Sequence, residues 1–189
     1  MLPTRLYAAL RPPDAALAEL DAALRPVRAA HPGPRWTARA SWHLTLAFYG
    51  DVPDEAAAAL PALLAEAASD TPPLRLAFTG SGSFPARNPR VLWTGLHGDL
   101  APLTSLAGAC ADAGSRLGLP TPDRPFQPHL TLARTRTPGD LTTPAALLHP
   151  LTGTPWTTAA FTLVHSHFPH PGTTPLHTFP LTAPPDGEG

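Results

Sequence analysis

A six-residue segment occurs twice in the chain with a single difference. The first copy reads HLTLAF from His43 to Phe48, and the second reads HLTLAR from His129 to Arg134. Both copies favour an extended strand. Because side chains alternate along a strand, the histidine and the threonine of each copy share one face and the two leucines share the other. We therefore expect the leucines to face a core and the histidines and threonines to line a polar site.

Two imidazoles and two hydroxyls around one small site can catalyse the cleavage of a phosphodiester. The ordinary pKa of histidine is about 6.5, so near neutral pH one ring can accept a proton while the other donates one. His43 and His129 are therefore candidate catalytic residues, although the pattern alone does not assign the acid and the base. The hydroxyls of Thr45 and Thr131 can hydrogen-bond the phosphate oxygens, and Arg134 can add a charge-assisted contact to the same phosphate.

The first copy carries Phe48 where the second carries Arg134. An aromatic side chain beside a nucleotide site can stack on a base or a ribose, which makes Phe48 a candidate for that contact. A single copy of this segment would more often hold a half-buried structural histidine. Two nearly identical copies in one chain favour the catalytic interpretation.

The elements around the two copies alternate between strands and helices. Short apolar or β-favouring runs predict seven strands, and leucines spaced by three and four residues predict three helices. Pro26 should kink or end the first helix, and Gly80 to Ser83 should form a turn. The order predicts an α+β sandwich rather than a doubly wound sheet. We expect strands at 4–10, 42–49, 74–79, 90–96, 128–134, 161–168 and 176–182, and helices at 17–27, 54–68 and 100–117.

Composition narrows the class of protein. The chain has 189 residues, of which 43% are hydrophobic, and its formal net charge is −1. This suits one globular domain, or two lobes sharing a core, and not a protein that wraps duplex nucleic acid. All 13 basic residues are arginine, which excludes Schiff-base and lysyl-AMP chemistry, and the single cysteine excludes an intrachain disulfide. No apolar run reaches the ~20 residues of a membrane span, so we expect a soluble cytoplasmic protein.

The two His-x-Thr segments resemble the 2H phosphoesterase superfamily. Longer segments are similar to its RNA 2′,3′-cyclic phosphodiesterases, which are also called 2′-5′ RNA ligases. The most specific of them is RPFQPHLTLAR at 124–134. The segments RLYAALRPP, WHLTLAFYGDV, FPARNPRVLWTGL and FTLVHSHF also resemble this family, and the similarity extends from about Thr4 to Leu181.

The resemblance implies a bilobal α+β fold with pseudo-twofold symmetry, in which two antiparallel sheets form a V-shaped cleft with helices outside. Residues 1–183 would form one domain with one motif in each half. The resemblance further implies hydrolysis of an RNA terminal 2′,3′-cyclic phosphate to a 2′-phosphate, with His43 as proton donor and His129 as proton acceptor. The site would need no cofactor or metal, and it would also support weak, reversible, ATP-independent 2′-5′ ligation. No membrane or protein partner is implied.

Other interpretations remain open. The same site can serve a cyclic phosphodiesterase that acts on small nucleotides or on ADP-ribose cyclic phosphate, or a nucleotide-binding module without catalysis. His165, His167 and His170 can suggest a zinc protein, but no nearby Cys, Asp or Glu completes a metal site, and we expect an exposed strand end there.

Several further features carry specific expectations. The chain departs from the family at 171–175, which reads PGTTP where many members carry an Arg-Tyr pair, so RNA affinity or substrate range is expected to differ. Arg90 is a candidate rim contact to RNA phosphate or a member of a surface ion pair. Residues 184–189 read as a disordered tail. The tryptophans that we expect to pack in or beside the core are Trp42, Trp93 and Trp156.

Overall fold

Two antiparallel sheets and four α-helices make up the described part of the chain. The computed structural model describes residues 4–120, 124–136, 141–167, 169–170 and 172–183, so the tail expected at 184–189 lies outside it. The helices are α1 (Asp14–Ala30), α2 (Asp54–Ser69), α3 (Leu100–Arg116) and α4 (Thr142–Leu148). The strands are β1 (Thr4–Leu10), β2 (Arg35–Trp36), β3 (Leu44–Val52), β4 (Leu74–Phe84), β5 (Val91–Gly98), β6 (Leu130–Arg134), β7 (Trp156–Thr158), β8 (Ala160–Ser166) and β9 (Thr173–Pro180).

Each sheet contains one copy of the repeated segment. Sheet A has the strand order β3-β1-β8-β9, and sheet B has the order β2-β6-β5-β4-β7. The first copy lies on β3 at an edge of sheet A, and the second lies on β6, which the two-residue strand β2 flanks. The strands β3 and β6 contact each other where the two sheets meet. This arrangement confirms the expected α+β class with two antiparallel sheets.

The leucine faces of both copies contribute to one hydrophobic core. Leu44 and Leu46 on β3 and Leu130 and Leu132 on β6 are all buried, as the alternation of side chains predicts. Helices α2 and α3 pack against each other and cover sheet A, with α3 on β3 and α2 on β8 and β9. Helix α4 packs on β4 and β5, and α1 packs against α4. The opposite faces of the two sheets are thereby left to the histidines and threonines.

Helix α1 continues through Pro26 to Ala30, so the expectation that Pro26 ends the helix is wrong. A proline removes the hydrogen bond to the carbonyl four residues earlier, which here belongs to Ala22. Ala22 and Pro26 both lie on the exposed side of the helix, where water can solvate that carbonyl. The buried side, with leucines at 17, 20 and 24, holds the helix together across the proline.

The turn expected from Gly80 to Ser83 is also wrong, because β4 runs through these residues as far as Phe84. Instead, the register between β4 and β5 shifts between Thr79 and Gly82. Gly80 has a φ of +59°, a left-handed conformation that glycine adopts without strain. The chain reverses after Phe84, whose carbonyl accepts a hydrogen bond from the backbone N–H of Arg90 at 2.7 Å.

Short elements were the ones that periodicity did not predict. Helix α4 has seven residues, and β2 and β7 have two and three, which is too short for a recognisable pattern. Strand β9 begins at Thr173, three residues earlier than expected, because β8 pairs with it along most of its length.

Trp42 and Trp156 are buried as expected, and Trp93 is partly buried on sheet B.

Candidate active site

The two motif histidines occupy equivalent places, immediately before β3 and immediately before β6. Nδ1 of His43 lies 2.8 Å from the carbonyl oxygen of Ser41, and Nδ1 of His129 lies 2.7 Å from the carbonyl oxygen of Gln127. A carbonyl oxygen can only accept a hydrogen bond, so Nδ1 carries the hydrogen in both rings. In both residues, therefore, Nε2 is the nitrogen left to take up or release a proton.

His43 lies among positive charges contributed by several parts of the chain. Burial lowers the pKa of His43 below its ordinary value, and the hydrogen bond to Ser41 acts in the opposite direction. The positive charges of Arg11, Arg134 and His129 lower this pKa further. Since these electrostatic effects fall off with distance, residues from both sheets lie close to His43.

His129 has a similar environment. Burial lowers its pKa, the hydrogen bond to Gln127 raises it, and the charges of Arg124 and Arg134 lower it again. Arg134 thus acts on both motif histidines. Among the described residues, the charged groups that shift the pKa of either histidine are all positive, which is the environment that favours binding of an anion.

A β-bulge determines which side chain of the first copy joins Thr45 on the open face. Thr45 lies opposite Ala9 of β1, and the register then skips Leu46 so that Phe48 lies opposite Tyr7. Residues 45 and 48 are three apart and would face opposite sides of a regular strand. The extra residue in β3 brings Phe48 onto the same face as Thr45.

The second copy contains a bulge at the equivalent position. Thr131 lies opposite Trp93 of β5, the register skips Leu132, and Arg134 lies opposite Val91. Arg134 therefore shares a face with Thr131, as Phe48 does with Thr45. We use the name cleft for the side of the two sheets on which His43, Thr45, His129, Thr131 and Arg134 lie.

Different aromatic side chains contact the two histidines. The ring centroid of Tyr7 is 5.1 Å from that of His43, at an interplanar angle of 31°. On the other side, Phe84 meets His129 edge-on at 5.0 Å and Trp93 lies 6.3 Å from it. These rings exclude water from the imidazoles and provide the burial that lowers their pKa values.

Phe48 is 43% exposed, and the guanidinium of Arg5 lies 5.2 Å from the centroid of its ring. This is the distance of a cation–π contact. The ring is thus oriented by a neighbouring side chain while a large part of its surface stays accessible.

Arg90, the candidate for a contact at the rim of the site, is exposed. It is not among the charged groups that shift the pKa of either motif histidine.

The late histidines do not form a metal site in the described part of the chain. The rings of His165 and His167 are 5.1 Å apart, and Nε2 of His167 lies 2.8 Å from the hydroxyl oxygen of Thr174. Both histidines are partly buried, so the expectation of an exposed strand end fits only His170 among the three. Among the described residues, no group of three or more His, Cys, Asp or Glu side chains is arranged to hold a metal ion.

Sequence reasoning missed several residues that contact or act on the motif histidines. Tyr7 and Arg11 lie on or just after β1, which no sequence pattern places beside His43. Phe84 and Arg124 belong to segments that resemble the family, but nothing in those segments indicates that either residue acts on His129. Within the described ranges, no helix is long and apolar enough to cross a membrane.

Comparison with known proteins identifies similar sequences. The family model described as 2′-5′ RNA ligase superfamily matches residues 10–168. The RNA 2′,3′-cyclic phosphodiesterase of Escherichia coli is 33% identical over 187 residues, which cover 95% of this chain and 98% of that protein. The protein of the same name from Thermus thermophilus is 32% identical over 179 residues, covering 91% and 85%. Relatives from Geobacillus stearothermophilus and Aquifex aeolicus match over only 32% and 54% of their own lengths.

Solved structures share the fold over nearly the whole chain. The crystal structure of E. coli LigT complexed with 3′-AMP has a TM-score of 0.76 at 28% identity and covers 96% of this chain and 99% of LigT. The structure of TT0787 from Thermus thermophilus has a TM-score of 0.75 at 31% identity, covering 94% and 97%. These similarities confirm the expected fold.

Proposed function

The chain belongs to the 2′-5′ RNA ligase superfamily, and from this premise we propose that it hydrolyses terminal 2′,3′-cyclic phosphates on RNA to 2′-phosphates. The observation that carries the proposal is the symmetric pair of imidazoles, His43 and His129. Each bonds a backbone carbonyl through Nδ1 and keeps Nε2 for proton transfer. An acid and a base on opposite sides of one phosphate are what opening a cyclic ester requires.

In the proposed reaction, Nε2 of His129 accepts a proton from water as the water oxygen bonds to phosphorus. The bond from phosphorus to O3′ breaks, and Nε2 of His43 donates a proton to O3′. Both proton transfers are supplied by the two rings, so the reaction requires no cofactor. The product keeps its phosphate on O2′, and the two rings exchange protons with solvent before the next turnover.

Three polar side chains are proposed to bind the phosphate. The hydroxyls of Thr45 and Thr131 donate hydrogen bonds to its oxygens, and Arg134 contributes a charge-assisted contact. Support comes from the bulge in β6, which puts Arg134 on the same face as Thr131, and from the effect of Arg134 on both histidines. A bound anion would partly offset the surrounding positive charge and raise the pKa of His43, which favours the protonated acid.

Phe48 is proposed to stack on the base or ribose of the terminal nucleotide. Its exposure of 43% leaves a surface for stacking, and Arg5 holds the ring from one side. The sequence-specific part of RNA recognition commonly uses such aromatic surfaces on unpaired bases.

The same steps give weak ligation when the 5′-hydroxyl of a second RNA takes the place of water. His129 accepts the proton of that hydroxyl as its oxygen bonds to phosphorus, the bond from phosphorus to O3′ breaks, and His43 donates a proton to O3′. The product is a 2′-5′ linkage, and no ATP is consumed because the cyclic ester is the activated group. Hydrolysis dominates, because a bound strand gains only the effective concentration that the cleft provides.

The test is incubation of the purified protein with a short RNA that ends in a 2′,3′-cyclic phosphate, in the presence of chelator. We expect a 2′-phosphate as the main product, and a bell-shaped pH profile from the two histidines. The His43→Ala/His129→Ala double variant, purified in the same way, controls for contaminating ribonuclease. A 3′-phosphate product contradicts the assigned acid and base, and activity that returns only with added metal contradicts the two-histidine reaction.

A second candidate is a cyclic phosphodiesterase for small nucleotides or for ADP-ribose cyclic phosphate. The structurally similar E. coli LigT has been crystallised with 3′-AMP, which is a single nucleotide. The chain also lacks the Arg-Tyr pair in the stretch around Thr173. A value of kcat/KM that is independent of RNA length would favour this candidate over the RNA enzyme.

A further inference from the structure

Tyr7 lies on the cleft face of sheet A, where the mechanism assigns it no role. It occupies the middle of β1, opposite Phe48 on β3 and Val164 on β8. Only 8% of the residue is exposed, although it belongs to the face that carries the polar residues of the site. Tyrosines that are buried on such a face need a partner for the hydroxyl.

The side chain of Tyr7 makes two specific contacts. Its ring lies 5.1 Å from the imidazole of His43, measured between centroids. Burial raises the pKa of the Tyr7 hydroxyl, and hydrogen bonding to the side chain of Thr173 at the start of β9 lowers it. Because the strand order is β3-β1-β8-β9, these contacts connect His43 at one edge of sheet A to Thr173 at the other edge.

We propose that Tyr7 is a positioning residue for His43, and that Thr173 holds Tyr7 in place. This proposal rests on the role of His43 proposed above. The carbonyl of Ser41 fixes which nitrogen carries the hydrogen, but a single hydrogen bond still allows the imidazole to swing about it. The Tyr7 ring packs against the imidazole, limits that swing and keeps water from one side of it.

The charge environment of His43 does not depend on Tyr7. The groups that lower the pKa of His43 by their charge are Arg11, which follows β1, and Arg134 and His129 from the other sheet. Burial is the largest cause of the lowered pKa, and Tyr7 is one of the groups that provide it. Removing the ring should therefore change the burial of His43 and leave its charged neighbours in place.

Thr173 makes the arrangement a feature of this chain. It belongs to the stretch in which the chain carries PGTTP instead of the family's Arg-Tyr pair. Thr173 lies opposite Ser166 of β8, and Ser166 lies opposite Arg5 of β1, so Thr173 is on the same face of sheet A as Tyr7.

The first experiment measures the pKa of His43 by NMR titration of the substrate-free protein, with His43→Gln to assign the resonance. In Tyr7→Leu we expect the pKa of His43 to rise toward 6.5, because water reaches the ring. Tyr49→Phe is the matched control, since its hydroxyl bonds the carbonyl of Cys110 in the core and its loss should leave His43 unchanged. An unchanged pKa in Tyr7→Leu overturns the proposal.

The second experiment measures kcat and KM on an RNA 2′,3′-cyclic phosphate. Tyr7→Leu should lower kcat by about tenfold to a hundredfold, the cost of a misplaced catalytic group, with little change in KM. Tyr7→Phe and Thr173→Val remove the same hydrogen bond, so each should have a small effect and the double variant should be no worse than either. Additive losses, or a kcat equal to that of the wild type in Tyr7→Leu, contradict the proposal.

The two experiments separate the two proposals. If the wild-type protein does not turn over any cyclic phosphate, the proposed function fails, while the titration of His43 still decides whether Tyr7 controls that ring. If Tyr7→Leu lowers only the melting temperature and changes neither the pKa of His43 nor kcat, Tyr7 is a packing residue and the inference fails alone.

Discussion

At each motif histidine, the backbone carbonyl two residues earlier determines which ring nitrogen exchanges protons. Ser41 and Gln127 serve this purpose for His43 and His129, at 2.8 and 2.7 Å. A carbonyl partner holds the tautomer without adding a negative charge, and the surrounding charges are positive. The rings therefore stay neutral in the free protein to lower pH than an ordinary histidine, and their positive surroundings favour binding of an anion.

Replacing His43 or His129 by alanine should lower kcat/KM by about 10²–10⁴-fold, because each variant loses one proton transfer. The double variant should be barely worse than either single variant, since the two groups act as a unit in one step. Steady-state kinetics on an RNA 2′,3′-cyclic phosphate check this, with circular dichroism to confirm folding. Losses that multiply in the double variant would mean that the two rings act in separate sites.

Arg134→Ala should weaken catalysis more than Arg90→Ala. Arg134 shares a face with Thr131 and acts on both histidines, while Arg90 acts on neither. Loss of a charge-assisted contact corresponds to about tenfold to a hundredfold in kcat/KM. An exposed arginine away from the phosphate should cost no more than about fivefold. Comparable losses in kcat/KM for the two variants would contradict the placement of Arg134 at the phosphate.

At the scale of the elements, bulges in β3 and β6 and a close packing between β4 and β5 shape the cleft. Trp93 of β5 lies directly opposite Gly82 of β4, and its ring occupies the space above that glycine. A Cβ at position 82 would lie 2.2 Å from Cζ2 of Trp93, which is closer than two non-bonded carbon atoms can approach without one of them moving. The same ring lies 6.3 Å from His129.

Gly82→Ala should therefore displace Trp93 and disturb His129. We expect a loss of stability of about 1–3 kcal/mol, typical of overpacking, together with a lower kcat. Gly108→Ala is the matched control, because nothing lies within 4 Å of a Cβ there, and alanine in a helix should stabilise by about 0.5–1 kcal/mol. Denaturant unfolding measures both. A neutral Gly82→Ala variant would contradict the packing of Trp93 against this glycine.

At the scale of the whole molecule, one hydrophobic cluster contains residues of both sheets and all four helices within the described chain. That cluster suits the single domain expected over residues 1–183, and this domain assignment stays a prediction. The cytoplasmic location also stays a prediction. The two halves contact each other between β3 and β6. Folding partly buries His43 and His129 and lowers their pKa values, which couples the free energy of unfolding to pH.

The free energy of unfolding should fall as pH drops below about 6.5. In the unfolded chain His43 and His129 bind protons near their ordinary pKa of 6.5, whereas in the folded protein burial lowers both values. Below pH 6.5 the unfolded state thus binds more protons than the folded state. The stability that the two neutral histidines contribute is therefore fully present above pH 6.5 and is lost as pH falls through their pKa values in the folded protein. Urea unfolding between about pH 5.5 and 7.5 measures it. The His43→Gln/His129→Gln variant should show a weaker pH dependence, and an equal dependence would refute the assignment.

Much of this architecture follows from local patterns. The repeated segment at His43 and His129 indicated two strands, buried leucines and a polar face, because alternation of side chains is a property of any extended strand. Strand β1 coincides with its predicted bounds, and the three long helices were predicted because their buried faces repeat every three to four residues. The family resemblance added the expected pairing of the two halves and the acid and base roles of the histidines, which stay predictions.

Tertiary structure alone decided the features that local patterns cannot encode. Strict alternation would place Phe48 and Arg134 on the leucine face, and only pairing with β1 and β5 creates the bulges that turn them into the cleft. Glycines 80 and 82 read as a turn, yet β5 keeps them in a strand because Trp93 fills the space that Gly82 leaves. The contact of Tyr7 with His43 and Thr173 requires strand order, which depends on the burial of whole faces and not on any short segment.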